Sequence, residues 1–405
     1  MSEVTVRQCA ILVGGLGTRL GALTRTLPKP LMRCGDRPFL AWLMREMQRF
    51  GVEDFVLLAG HLSTEIERAV DQIRAFLPKP AKITISVEPF RAGTGGALYH
   101  ARAHLQDRFL LCNGDSLFSC NLSRFLSREP QGNWMLLRAV EDLDRYGEVR
   151  LAQDGEHVAS FHPKAEQPGR AGLINSGIYL FDHTVFGHLT PDCSLEQDVL
   201  PALAAQGALR GMELTGYFRD IGLPGDLEAA GRELPEVLRR PAVFLDRDGV
   251  INKDHGWVGT RERFEWEPGA LDTIARMTES GHHVFIVTNQ SGVARGLYSE
   301  EDLHALMNWV IGVVRAHGGT IDDWRYCPIH PEAVVERYRG NSPDRKPEPG
   351  MILDLLRRWE LDPECCVIFG DQLSDMQAAS AAGIEGVRVG PSSLADLISE
   401  REGFL

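Results

Sequence analysis

Short, nearly unbroken apolar runs alternate along this chain with stretches whose apolar residues recur at helical spacing. "CAILV", "DFVLLAG", "KITISVE" and "RFLLCNGD" read as strands, rich in aliphatic residues and followed by Gly, Asn or Asp. Between the first two, "PFLAWLMREMQRFG" puts Phe39, Leu40, Leu43, Met47 and Phe50 on one helical face and stops at Gly51. The alternation predicts parallel α/β layers and persists to about residue 235. A polar stretch, "RELPEVLRRPA", then gives way to a fresh strand at "VFLD", with "HHVFIVTN" and "CCVIFGD" after it. The boundary is placed near residues 234–241, giving expected domains over 1–235 and 241–405 joined by a short linker. No low-complexity tract or internal repeat interrupts either half.

The length of 405 residues agrees with this division, since one ordinary domain rarely grows so large. A formal net charge of −13 argues against a general nucleic-acid binder, which needs Lys and Arg to neutralise phosphates. It leaves room for a small phosphorylated ligand held by a few local cations. No apolar run approaches the ~20 residues a membrane helix needs. The start "MSEVTVRQCAILVGG" does not read as a secretory signal. The eight cysteines are scattered, several within strands, and most read as buried reduced thiols of a cytoplasmic protein.

"ILVGGLGTRLGALTRTLPKPL" follows the first strand. Gly14, Gly15 and Gly17 would let the backbone approach a phosphate, with amides leading into a helix to receive it. The loop lacks the Gly-Lys-Ser/Thr ending of a Walker sequence, but Arg19 and Lys29 could converge on a polyphosphate. With "EPFRAGTGGAL", "LCNGD", "INSGIYLF" and "YFRDIGLPGDLEAA", the loop resembles the sugar-phosphate nucleotidyltransferases over residues 8–232. Within them it looks most like the heptose 1-phosphate guanylyltransferases. The resemblance implies a Rossmann-like (GT-A-like) fold. It also implies attack of a sugar 1-phosphate on the α-phosphorus of a nucleoside triphosphate, with loss of pyrophosphate. Arg19 and Lys29 would be the catalytic cations, and Asp115 and Asp220 the Mg²⁺ ligands. Thr18, Gly93, Thr94 and Gly95, with the first-loop glycines, would bind nucleotide, and Glu88, Lys164 and Asn175 the substrate.

In the second half, "VFLDRDGVIN" ends a strand with Asp246 and Asp248, at the position where α/β sheets bind ligands. Two carboxylates so close are not easily both ionised, which separates a nucleophile from an acid. "IVTNQSG" supplies Thr288 and Asn289, "DRKPEPGM" supplies Lys346, and "IFGDQLSDMQAA" supplies Asp371 and Asp375. The ordered set resembles the haloacid dehalogenase superfamily, in its heptose bisphosphate and histidinol phosphatase branch, over residues 241–392. A second doubly wound, Rossmannoid α/β domain is implied. Asp246 would attack phosphorus, and Asp248 would protonate the leaving alcohol and then activate water. Thr288, Asn289 and Lys346 would hold the phosphoryl group, and Arg345 a substrate phosphate. Mg²⁺ would bind Asp246, Asp371 and the backbone carbonyl of Asp248. Many relatives carry a zinc loop here; in this chain Cys327 remains, but Ile329, Ser342 and Asp344 occupy the other ligand positions, so no zinc is expected.

The two halves together imply consecutive steps of nucleotide-activated heptose synthesis, with sugar phosphate and nucleoside triphosphate as substrates. No nucleic acid or membrane is expected as a partner, and a homo-oligomer stays open. One alternative pairs a mannose- or glucose-1-phosphate nucleotidyltransferase with a phosphatase of another sugar phosphate or of histidinol phosphate. Another makes one half a non-catalytic regulatory module.

Overall fold

The computed structural model describes residues 6–128, 131–143, 145–163, 169–390 and 393–401. They divide into two compact units: one runs to Cys120 and resumes over Arg128–Leu238, and the other comprises Arg239–Leu405 with Asn121–Ser127.

In the first unit, β1 (Gln8–Leu12) is followed by a small ribbon of β2 (Arg33–Cys34) and β3 (Arg37–Pro38). Then come β4 (Asp54–Ala59), β5 (Lys82–Val87), β6 (Arg108–Asn113) and β7 (Ser116–Ser119). β8 (Asn133–Val140), β9 (Glu148–Leu151), β10 (Val158–His162) and β11 (Gly172–Asp182) form the middle of the unit. β12 (Leu209–Glu213) and β13 (Tyr217–Asp220) complete it. The main sheet runs β10-β9-β11-β6-β1-β4-β5, with β8 pairing both β11 and β12, and β13 pairs β7 separately. β1, β4, β5 and β6 are parallel, as the apolar runs predict. β11 instead lies antiparallel to β6, β8 and β9, so the sheet is mixed. The links joining β8, β9 and β10 are too short for the dozen or so residues that a parallel crossover requires.

The helix Phe39–Arg49 forms where the periodicity places it, with Phe39, Leu40, Leu43 and Met47 fully buried. The polar stretch read as a linker is mostly the end of a helix, Pro224–Val237. Pro224 opens that helix at a position that needs no amide, and Leu234 anchors its later turns in a small core with Trp42 and Leu117.

In the second unit, β14 (Ala242–Leu245), β15 (His283–Asn289), β16 (Asp323–Cys327), β17 (Cys366–Gly370) and β18 (Glu385–Arg388) make one sheet. Every pair is parallel, in the order β16-β15-β14-β17-β18. β14 alternates its side chains between two cores: Val243 and Leu245 pack on one face, Ala242 and Phe244 on the other. Strand order reverses at β14, so the crevice beyond its C-terminal end is the natural ligand site. Among the described residues, no helix is long and apolar enough to cross a membrane.

Candidate active sites

The loop after β1 continues into a 3₁₀ stretch, Thr18–Thr24, broken at Gly21, and no α-helix follows it directly. Gly14 and Gly15 differ in what they allow. A Cβ on Gly14 would sit 2.7 Å from the Gly60 amide, so that glycine serves a close backbone crossing; Gly15 faces open space. Both line a cavity of about 650 Å³, as do Glu88, Gly93, Thr94 and Asp115. Glu88 spends one oxygen on the Ala92 amide (3.1 Å), and burial raises its pKa above the ordinary carboxylate range.

Gly95 packs tightly against Cys193. Its amide donates to the Cys193 carbonyl at 3.0 Å, and a Cβ there would meet the Cys193 sulfur at 2.6 Å. Thr94 donates to Glu196 (2.7 Å) and accepts from the Leu195 amide (2.8 Å). The "GTGG" stretch is thus docked on residues 193–196, which lie too far along the chain for local sequence to reveal the pairing.

Arg19, Lys29, Thr18, Gly17 and Asp115 line an adjoining cavity of about 160 Å³. Lys29 is buried and its ammonium donates to Asp115 at 2.6 Å, while Arg19 is exposed. β7 and β13 set Ser116 opposite Asp220, and the Ser116 hydroxyl lies 3.3 Å from Asp115 and 3.2 Å from Asp220. The two expected metal carboxylates therefore flank one hydroxyl, an all-oxygen arrangement that suits Mg²⁺. Asn175 does not line either cavity: its amide donates to Tyr179 Oη (2.6 Å) and its carbonyl accepts from Gly177 (2.9 Å) at the irregularity in β11. Lys164 lies outside the described residues.

The second unit gathers its residues at the C-terminal ends of β14, β15 and β17. Asp246, Asp248, Thr288, Asn289, Lys346 and Asp371 all line one cavity of about 360 Å³. Buried Lys346 bridges Asp246 Oδ1 (2.9 Å) and Asp375 Oδ1 (2.6 Å) and donates to the Val287 carbonyl (2.9 Å). Burial pushes the Asp246 carboxyl up to about 6, Lys346 pulling against it and Asp375 adding to it. Of the like charges that raise Asp246, Asp375 has the larger effect and Asp248 a smaller one. Asp248 is turned to other groups, accepting from Arg247 (2.8 Å), Asn252 (2.9 Å) and Gln290 (3.1 Å).

Two functional positions, Gln290 and Arg247, escaped the sequence reading, and a third, Asp375, was named there without a role. Gln290, fully buried, ties Asp248 to Thr288 (2.9 Å) and is itself held by Tyr298 (2.8 Å). Arg247 between the two aspartates is buried and fixes Asp248 and the Val258 carbonyl. Asp375 joins Asp246 and Asp371 in a group whose ligand oxygens lie within 4.8 Å of one another. Its signal was the second aspartate of "GDQLSD", which the fold buries completely at the start of a helix. Asn289 lines the cavity, but both ends of its amide are taken by the Lys346 backbone (2.9 and 3.1 Å).

The acidic group fits a divalent cation: Asp371 Oδ1 is buried without a hydrogen-bond partner, and three carboxylates supply hard oxygen ligands. Among the described residues it is the one such group of three or more side chains. In the loop after β16, Cys327 is buried, its thiol pKa raised, and His330 Nδ1 accepts from the Glu332 amide. The loop is held by Arg345 donating to Ile329 (3.1 Å) and by Tyr326 and Tyr338 both donating to Glu300 (2.9 Å each).

Two cation-and-carboxylate sites at strand ends, each with its own cavity, define an enzyme of phosphate chemistry with two centres. The Nucleotidyl transferase family model matches residues 9–236, and a HAD-hydrolase-like model matches residues 344–399. The chain is 51% identical over 150 residues to the D-glycero-beta-D-manno-heptose-1,7-bisphosphate 7-phosphatase of Rhodopseudomonas palustris, covering 37% of this chain and 83% of that protein. It is 42% identical over 147 residues to the D-glycero-alpha-D-manno-heptose-1,7-bisphosphate 7-phosphatase of Burkholderia mallei, covering 36% and 78%. Among solved structures, HddC from Yersinia pseudotuberculosis complexed with GMP-PN is 29% identical at a TM-score of 0.51, covering 56% of this chain and 99% of that one. The chain therefore belongs to the nucleotidyl transferase family through its first unit and to the family of these heptose-bisphosphate phosphatases through its second.

Proposed function

We propose that this protein makes a nucleotide-activated heptose, in two steps carried by domains 1–235 and 241–405. The second domain removes the 7-phosphate of D-glycero-D-manno-heptose 1,7-bisphosphate. The first joins the resulting heptose 1-phosphate to GMP from GTP and releases pyrophosphate. The observation that carries the reading is the Asp246–Lys346–Asp375 cluster at the end of β14, in a chain with a 51% identical phosphatase relative. Guanine is supported by the HddC structure solved with GMP-PN.

In the phosphatase step, Asp246 attacks phosphorus and the sugar oxygen leaves with a proton from Asp248. Asp248 then takes a proton from the water that releases phosphate and restores Asp246. Lys346 and Thr288 receive the phosphoryl oxygens, and Gln290 keeps Asp248 and Thr288 in register. Asp246, Asp371 and Asp375, with the Asp248 carbonyl, would hold Mg²⁺, which neutralises phosphate charge. In the transfer step, Arg19 and Lys29 meet the triphosphate, and Asp115 and Asp220 would hold the second Mg²⁺. A location in the cytoplasm agrees with the free cysteines, most of them buried.

The test incubates the full chain with heptose 1,7-bisphosphate, Mg²⁺ and each nucleoside triphosphate and identifies products by mass. GDP-heptose, inorganic phosphate and pyrophosphate are expected. Faster phosphate release from histidinol phosphate, or no nucleotide-sugar with any triphosphate, would overturn the reading.

A further inference from the structure

Tyr298 lines the phosphatase cavity together with Asp248, Thr288 and Gln290. A Cβ on Gly259 or on Gly292 would collide with its ring, so two positions without side chains hold that ring in one place. Its hydroxyl donates to the Gln290 carbonyl oxygen at 2.8 Å. Burial pushes the phenol up to about 12, so it keeps the proton it donates. The buried guanidinium of Arg247 faces the same phenol; it is a donor with nothing to accept, which leaves Gln290 as the target of the phenol proton.

A side-chain amide held by its oxygen can offer only its NH₂ group to the remaining partners. Gln290 Nε2 accordingly donates to Asp248 Oδ2 (3.1 Å) and to Thr288 Oγ1 (2.9 Å). Thr288 is buried and has a single hydroxyl proton. With its oxygen accepting from Gln290, that proton is left for a phosphoryl oxygen in the cavity. The same polarity matters at Asp248. Were the amide reversed, its carbonyl would face Asp248 and take the proton that the leaving alcohol needs. With the NH₂ group held there, Asp248 finds no acceptor in Gln290.

We propose that Tyr298 is a positioning residue of the phosphatase: by fixing the polarity of the Gln290 amide, it makes Thr288 a donor towards the phosphoryl group and keeps the Asp248 proton for the leaving oxygen. The proposal rests on the phosphatase reading above and gives Tyr298 a part in the chemical step, not in substrate binding.

The experiment measures phosphate release by the full-length protein with Mg²⁺ from heptose 1,7-bisphosphate and from glucose 6-phosphate, two esters with alcohol leaving groups. Wild type, Tyr298→Phe, Gln290→Ala and the double variant are compared. Tyr298→Phe keeps the ring and loses the hydroxyl; kcat should fall about tenfold with KM nearly unchanged, the loss of one hydrogen bond felt in the chemical step. In the Gln290→Ala background the same change should cost less than about twofold, because no amide is left to orient. A kcat for Tyr298→Phe equal to wild type, a change confined to KM, or an equal fall in both backgrounds overturns the proposal; the last is what a packing or folding defect would give. If the wild type acts on glucose 6-phosphate but not on heptose 1,7-bisphosphate, the heptose reading fails and the kcat values on glucose 6-phosphate decide the role of Tyr298. A wild type that releases phosphate from neither overturns both.

Discussion

A Cβ added at Gly249 would sit 2.8 Å from the Asp371 carboxylate, and the residue has a φ of 81°. Gly249→Ala should therefore strain the loop that carries Asp246 and Asp248, costing about 1–3 kcal/mol and most of the phosphatase activity. Thermal melting and phosphate release check this, and wild-type values for both would refute it. Asp246, with its carboxyl pushed up to about 6 by burial, is the other sensitive point. Asp246→Asn should lower phosphate release by about a thousandfold or more while nucleotidyl transfer continues. Loss of both activities would contradict separate sites. Asp246, Asp248 and Lys346 were legible because each stands in a motif whose chemistry needs its residue type. Arg247 and Gln290 were not, because their work is to hold other site residues across the loops of a folded sheet, and Asp375 was legible as a motif residue but not as the partner of Lys346.

At the level of elements, the parallel strands β1, β4, β5 and β6 and the strands β14, β15 and β17 could be read from apolar runs, whereas the partly exposed β16 and β18 could not. The antiparallel part, β8 to β11, could not be read. Its strands include partly exposed positions, and its order depends on link length as much as on pattern. The loop between β16 and the helix Gly350–Trp359 illustrates a second limit. The sequence showed that Ile329, Ser342 and Asp344 stand in or beside this loop, but not what holds it. In the structure Glu300, at the start of the helix Glu300–Ala316, accepts from Tyr326 on β16 and from Tyr338 within the loop. Burial and Glu300 both raise the pKa of the two tyrosines, so each remains a phenol able to donate. Glu300→Ala removes both acceptors. It should destabilise the second unit by about 1–3 kcal/mol and raise KM for a phosphate substrate, since Arg345 lies on the same loop. Glu300→Gln should recover part of the stability. An unchanged melting curve for Glu300→Ala would show that the loop is held by other contacts.

Under the proposed function the two chemistries run in an order opposite to that of the chain: the phosphatase in the second unit would act before the nucleotidyltransferase in the first. A phosphate left at position 7 would remain on the nucleotide-sugar, while loss of the 1-phosphate would remove the group that attacks the triphosphate. Each unit has its own buried cation facing a carboxylate, Lys29 with Asp115 and Lys346 with Asp246 and Asp375. Lys29→Ala should thus silence nucleotidyl transfer by about a hundredfold or more without touching phosphate release. Asp246→Asn should have the complementary defect. An equimolar mixture of the two variants tests whether the intermediate moves freely. Supplied with heptose 1,7-bisphosphate, Mg²⁺ and GTP, the mixture should make nucleotide-sugar, because intact phosphatase units feed heptose 1-phosphate to intact transferase units. Its lag should shorten as enzyme concentration rises, since the intermediate must cross solution. The phosphatase product would accumulate first and then fall, which mass analysis of timed samples follows directly. A mixture that releases phosphate but makes no nucleotide-sugar, although each variant performs its own step, would mean that heptose 1-phosphate does not pass between molecules.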